Sequence, residues 1–213
     1  MPRPLPAPAG SSARRRTVLR PGALAAARLR AFGTDTRGSV AIEAVMLLPL
    51  LFWAYLAMFS FFDMLRQQSL NQKASYTIAD MFSRETQFIN DTYVTNAHAL
   101  LKSMVRSDGT TALRVTVLAW DEGAQRFDVK WSEARGPGSA MPRGNASAGM
   151  KDRLPLIPPG EHVILVETWT HYQIPFKIGM EDFNMNTFTF TAPRFSSQLC
   201  FSNDPAAVEC VNA

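Results

Sequence analysis

Cysteine occurs only twice and histidine only three times among the 213 residues. Two cysteines with no histidine at ligand spacing beside them do not make a zinc site. Also missing are a phosphate-cradling glycine loop, a paired-histidine zinc motif and a Gly-x-Ser-x-Gly elbow. These absences exclude the nucleotide-binding, zinc-hydrolase and serine-hydrolase patterns. The chain therefore reads as a non-enzyme, with no catalytic residue, no metal and no cofactor. His98 falls on an expected helix, and His162 and His171 on an expected strand; all three read as surface or packing residues. Asp121 and Glu122 are adjacent, so on a strand they would point to opposite faces, and a turn explains them better. Trp120, Trp131 and Trp169 read as sheet packing.

Negative charge is nearly absent from the first 38 residues. They hold eight arginines (Arg3, Arg14, Arg15, Arg16, Arg20, Arg28, Arg30 and Arg37) against the single acid Asp35, a net of +7. The remaining residues carry 14 basic and 17 acidic side chains, a net of −3. The basic character of the chain thus belongs to its leader. A nucleic-acid partner would want basic residues on a folded face or interleaved with aromatics, and none is expected.

Charge of either sign is absent from Ala44 to Phe62, the nineteen residues AVMLLPLLFWAYLAMFSFF. As a helix this run is about 28 Å long, close to the ~30 Å hydrocarbon core of a bilayer. Asp63 and Arg66 end it. Arginines on one side of such a run are the positive-inside signal, which places the N-terminus in the cytoplasm and the bulk of the chain across the membrane from it. A cleaved secretory signal would have a shorter apolar core and a small-x-small site, whereas Phe59-Ser60-Phe61-Phe62 is a poor one. Pro49 removes one backbone donor and is expected to kink the helix.

Directly before the run stands Arg37-Gly38-Ser39-Val40-Ala41-Ile42-Glu43. Gly38 is a break where a peptidase would reach the backbone. After cleavage there, Ser39 would carry a new α-amine, and Glu43 would lie about 6 Å along the helix from it. An acid at the bilayer edge wants a cationic partner, and the amine of a neighbouring subunit would serve.

Gly38, Ser39 and Glu43 before an apolar helix resemble the prepilin-peptidase site of type IV pilins and pseudopilins. Pro49, within Glu43-Ala44-Val45-Met46-Leu47-Leu48-Pro49-Leu50-Leu51, makes the stretch similar to TadE-like proteins of the tight-adherence (Tad, or Flp) pilus system, with their small-residue, glutamate and proline-leucine-leucine signature. The resemblance is strong over residues 37–66 and weaker beyond. It implies a minor pseudopilin that supports assembly of an adhesive pilus. Its partners would be prepilin peptidase, the inner membrane, and other pilins or pseudopilins of the system. The major pilin of such systems usually has an aromatic after the glutamate and is very small. Here Ala44 follows Glu43 and about 150 residues lie beyond the run, which argues for the minor class. The alternative is an uncleaved, membrane-tethered periplasmic scaffold or binding module.

Three segments are expected: a cytoplasmic leader over 1–38, a transmembrane TadE-like segment over 39–66 and a periplasmic domain over 67–213. The expected fold is α+β, with the transmembrane helix extended into a stem and followed by an antiparallel sheet. One helix is expected over 41–82, with Leu70, Ala74, Ile78, Met81 and Phe82 as its apolar stripe and Gln67, Gln68, Asn71, Gln72 and Lys73 largely elsewhere. A second helix is expected from Thr86 to Val105, with Ile89, Tyr93, Ala97, Leu100, Leu101 and Met104 on one face and Ser107-Asp108-Gly109 as its stop. Residues 112–120 read as a strand. Phe127, Val129 and Trp131 alternate with polar residues on its hairpin partner. Residues 136–160 hold five glycines and five prolines and read as a long loop. Residues 162–174 and 186–192 read as further strands, with Phe188 and Phe190 on one face. Cys200 and Cys210 are expected to pair as a disulfide in an oxidising periplasm, the alternative being two free thiols as in a reducing compartment.

Overall fold

The computed structural model describes residues 30–33, 38–106, 109–145, 150–155, 157–177, 179–204, 206–207 and 210. The arginine leader up to residue 29, Arg37, the Ser107-Asp108 part of the expected helix stop and part of the expected long loop lie outside the described residues. Two compact units divide the chain, Met1–Phe52 and Trp53–Ala213.

Among the described residues the elements that build the fold are α1 (Ser39–Arg84), α2 (Asp91–Val105), β1 (Thr111–Asp121), β2 (Arg126–Arg135), β3 (Gly144–Asn145), β4 (His162–Tyr172) and β5 (Phe183–Thr191). The class is α+β. The sheet runs in the order β3-β2-β1-β4-β5, and every neighbouring pair is antiparallel. β3, at one edge, is only two residues long.

The second helix starts five residues later than its periodicity suggests. Asn90 is extended and caps it, its side chain accepting the Tyr93 N–H at 2.8 Å. The residue before it is committed elsewhere. The Ile89 N–H donates to the Cys200 carbonyl at 2.8 Å, and its carbonyl accepts from Ser202 at 2.9 Å. Ile89 is buried as expected, but in a parallel bridge to Phe201 rather than on a helix face. At the other end Arg106 takes a left-handed conformation (φ 51°) and its N–H closes onto the Lys102 carbonyl.

One core lies between the helices and one sheet face. Ala74, Ile78 and Phe82 of α1 and Val94, Ala97 and Leu101 of α2 meet Leu113, Val115, Val117, Ile164 and Val166 there. Each fully buried large side chain contributes about 1.5–3 kcal/mol relative to exposure. Asn71 is a correction: it is buried on this packed face, not turned away. It accepts the Thr170 hydroxyl at 2.5 Å and donates to the Gln67 carbonyl at 2.9 Å. Ser75 and Thr189 pair beside it at 2.9 Å. A polar residue survives there because each of its groups finds a partner.

The hairpin partner departs from simple alternation. Val117 pairs with Trp131 and Leu118 with Val129, so Lys130 is the extra residue of a bulge. The bulge flips the register of faces. Trp131 joins the helix-side core, while Phe127 and Val129 face the opposite side with Leu118, Trp120, Val163 and Leu165. The expected single face of Phe127, Val129 and Trp131 is therefore split in two.

That opposite side is covered by the stretch expected to be a long loop. Residues 136–160 include β3, and Met150 and Leu154 are buried there, with Met141 and Ile157 packed against them. Phe188 joins this second core, whereas Phe190 is exposed. On β5 the buried positions are Met185 and Thr189, on the helix side.

Candidate functional site

Every large apolar side chain from Val40 to Phe52 is exposed, as are Trp53, Tyr55, Met58, Phe59, Phe61 and Phe62. Leu51 is 62 % exposed, Trp53 54 % and Tyr55 67 %. This helix is long and apolar enough to cross a membrane. Bare aliphatic and aromatic surface on this scale is unfavourable in water and suits a lipid solvent. The helix runs through Pro49 without interruption. The missing N–H at Pro49 leaves the carbonyl four residues back, on Val45, without its helical donor.

Gly38 is exposed directly before α1, and a Cβ there would meet nothing within 4 Å. The position is open to a peptidase, but space alone does not require glycine. Ser39 opens the helix. Glu43 sits one turn in and is exposed. A carboxylate there faces the positive end of the helix dipole.

Asp63 ends the apolar run. It is partly buried and accepts the Tyr172 hydroxyl at 2.7 Å. Burial first, and this bond second, push the Tyr172 hydroxyl well above its ordinary pKa. Sequence reasoning missed this pair, because Asp63 and Tyr172 are 109 residues apart and no local signal joins them. Beside it a cavity of about 480 Å³ is lined by Arg66, Gln67 and Arg106 from the helices and by Tyr172, Gln173 and Ile174.

Cys200 and Cys210 stand together with Cα atoms 5.3 Å apart, within the range of a disulfide. Next to Cys200, the Leu199 carbonyl accepts the Trp131 indole N–H at 2.7 Å.

The histidines sit in separate settings. His98 of α2 donates from Nε2 to the Thr111 carbonyl at 2.9 Å, His162 from Nδ1 to the Ser197 carbonyl at 3.2 Å, and His171 lies 3.0 Å from the Asn184 amide oxygen. Among the described residues no three of His, Cys, Asp and Glu group as metal ligands would. Arg114 is paired with Glu167 at 2.7 Å across neighbouring strands and lies over the Trp169 ring. Both charges of that pair are largely buried, which makes it an internal brace rather than a reactive group.

Compared with known proteins, the chain matches no family model, no curated protein and no solved structure.

Proposed function

We propose that this chain is a single-pass protein of a bacterial inner membrane, with its N-terminus in the cytoplasm and its sheet domain in the periplasm. Within that setting it acts as a TadE-like minor pseudopilin, cut between Gly38 and Ser39 by prepilin peptidase and supporting assembly of a Tad-type pilus. The observation that carries the reading is the exposed apolar surface of α1 from Val40 to Phe62, preceded at once by Gly38, Ser39 and Glu43. A soluble helix would bury one stripe of such a sequence. The arginine excess before it supports the orientation. The disulfide-distance cysteine pair suits an oxidising compartment.

Mass spectrometry of the membrane-extracted protein tests the reading. The expected mature N-terminus is Ser39. An intact leader in cells with active prepilin peptidase would refute the pseudopilin role and favour an uncleaved, tethered periplasmic module.

A further inference from the structure

The connection between β4 and β5 returns to α1 at the end of its apolar run. Phe176 packs edge-on against Phe59, with ring centroids 5.9 Å apart and planes at 68°. Phe59 lies one turn before Asp63, about 6 Å along the helix axis. Although in contact, the two residues stay open, Phe59 at 47 % and Phe176 at 41 % exposure. The fold holds Phe176 at this height. The Tyr172 hydroxyl is bonded to Asp63 at 2.7 Å, and the Ile174 N–H donates to the Asp182 carboxylate at 2.9 Å. Met64 and Met180 pack around Tyr172, Ile174 and Met185 to complete the attachment.

Cationic groups stand on the other side of Asp63. Arg66 is one turn further along α1, and it lines the same cavity as Arg106. Lys177, exposed, follows Phe176 in the chain. Aromatic rings on the apolar side of Asp63, with guanidinium groups beyond it, reproduce the order of acyl chain and phosphate at a bilayer surface, and the long stem of a lysine beside Phe176 lets its ammonium reach the same phosphate layer.

We infer that residues 173–177 form a second contact with the bilayer, inserting Phe176 into the outer leaflet beside Phe59 and setting Arg66, Arg106 and Lys177 at phosphate level. The inference rests on the reading of α1 as a membrane span. The occupant is a phospholipid leaflet because the Phe176 surface is continuous with the apolar run that lipid would already cover. The contact fixes the sheet domain close to the membrane instead of leaving it to swing on its stem.

The full chain in liposomes of phosphatidylcholine and phosphatidylglycerol, some of the phosphatidylcholine acyl-brominated, provides the test through quenching of tryptophan. Trp53 lies at the middle of the apolar run and reports the span. Wild type should lose more fluorescence to brominated lipid than Trp53→Phe. Adding Phe176→Trp to Trp53→Phe should restore at least half of that difference, with bromines near the carbonyl end quenching more than bromines near the methyl end. Lys177→Trp in the same background, at an exposed position that folding does not depend on, should show the same preference more strongly. If both tryptophan insertions are quenched no more than Trp53→Phe while wild type is quenched, the loop contact is wrong and the span stands; a protein partner on this face would give that result. If wild type is quenched no more than Trp53→Phe, the span itself fails and the loop contact with it.

Discussion

Ser60 is fully buried, and its hydroxyl has no partner among the described residues. A buried hydroxyl left unpaired costs on the order of 1–3 kcal/mol. Ser60→Ala should therefore keep the fold and stabilise it by about 1 kcal/mol, read as a higher melting temperature in detergent; a lower one would mean that the hydroxyl is satisfied. His162 makes an opposite kind of statement. Burial lowers its pKa, the Ser197 carbonyl opposes that, and Lys130 adds to the lowering. As pH falls below about 6.5 the unfolded chain takes up this proton before the folded one does. Stability is thus lost on acidification, fully so below the folded pKa. His162→Gln should flatten the stability profile between about pH 7 and pH 5 in denaturant titrations. Parallel wild-type and variant profiles would remove His162 from the acid response. Neither residue's environment was legible in the sequence. Ser60 lies in an apolar run where burial has no local signal, and His162 stands at a strand start, with Ser197 and Lys130 reaching it from more than thirty positions away.

At the scale of elements, the sequence was most readable where period and length agreed. α1 was expected over 41–82 and spans Ser39–Arg84, and the strands at 112–120 and 162–174 lie within two residues of β1 and β4. It failed where long-range pairing overrode local pattern. The start of α2 was displaced because Ile89 pairs with the C-terminal segment, and the alternation of β2 was broken by a bulge at Lys130. The proline- and glycine-rich stretch at 136–160 hid Met150 and Leu154, which close the second core. The C-terminal segment itself behaves as a strap. Leu199, Cys200, Ser202 and Asn203 all bond back, to Trp131, Ile89 and Asp91. The Cys200–Cys210 ring, ten residues in span, holds its outer end. Changing both cysteines to serine should cost roughly 2–3 kcal/mol by loop-closure entropy. It should also hasten proteolysis of the C-terminal segment before the sheet is cut. Equal denaturation midpoints for wild type and variant would show that the bonds of the segment alone fix it.

For the whole molecule the decisive charge is Glu43. It is exposed one turn into a helix whose next nineteen positions carry no charge. A lone carboxylate at the edge of a bilayer is costly, and the helix dipole offsets only about 0.3–1 kcal/mol of that cost. The proposed role supplies a stronger partner, the Ser39 α-amine of an adjacent processed subunit, so that two charges are neutralised together as helices pack. Glu43→Gln keeps the size and the hydrogen-bonding capacity and removes only the charge. It should insert at least as well as wild type and be cleaved as before, since Gly38 and Ser39 are untouched. It should fold with the same sheet domain, which lies beyond the apolar run. Assembly alone should fail, seen as a fall in surface pili by at least tenfold, about 1.4 kcal/mol of lost pairing per contact. The readouts separate the explanations. If the variant is inserted and cleaved but pili fall, the carboxylate acts between subunits. If pili form at wild-type levels, the charge pair is wrong, and Glu43 answers only to the dipole of its own helix.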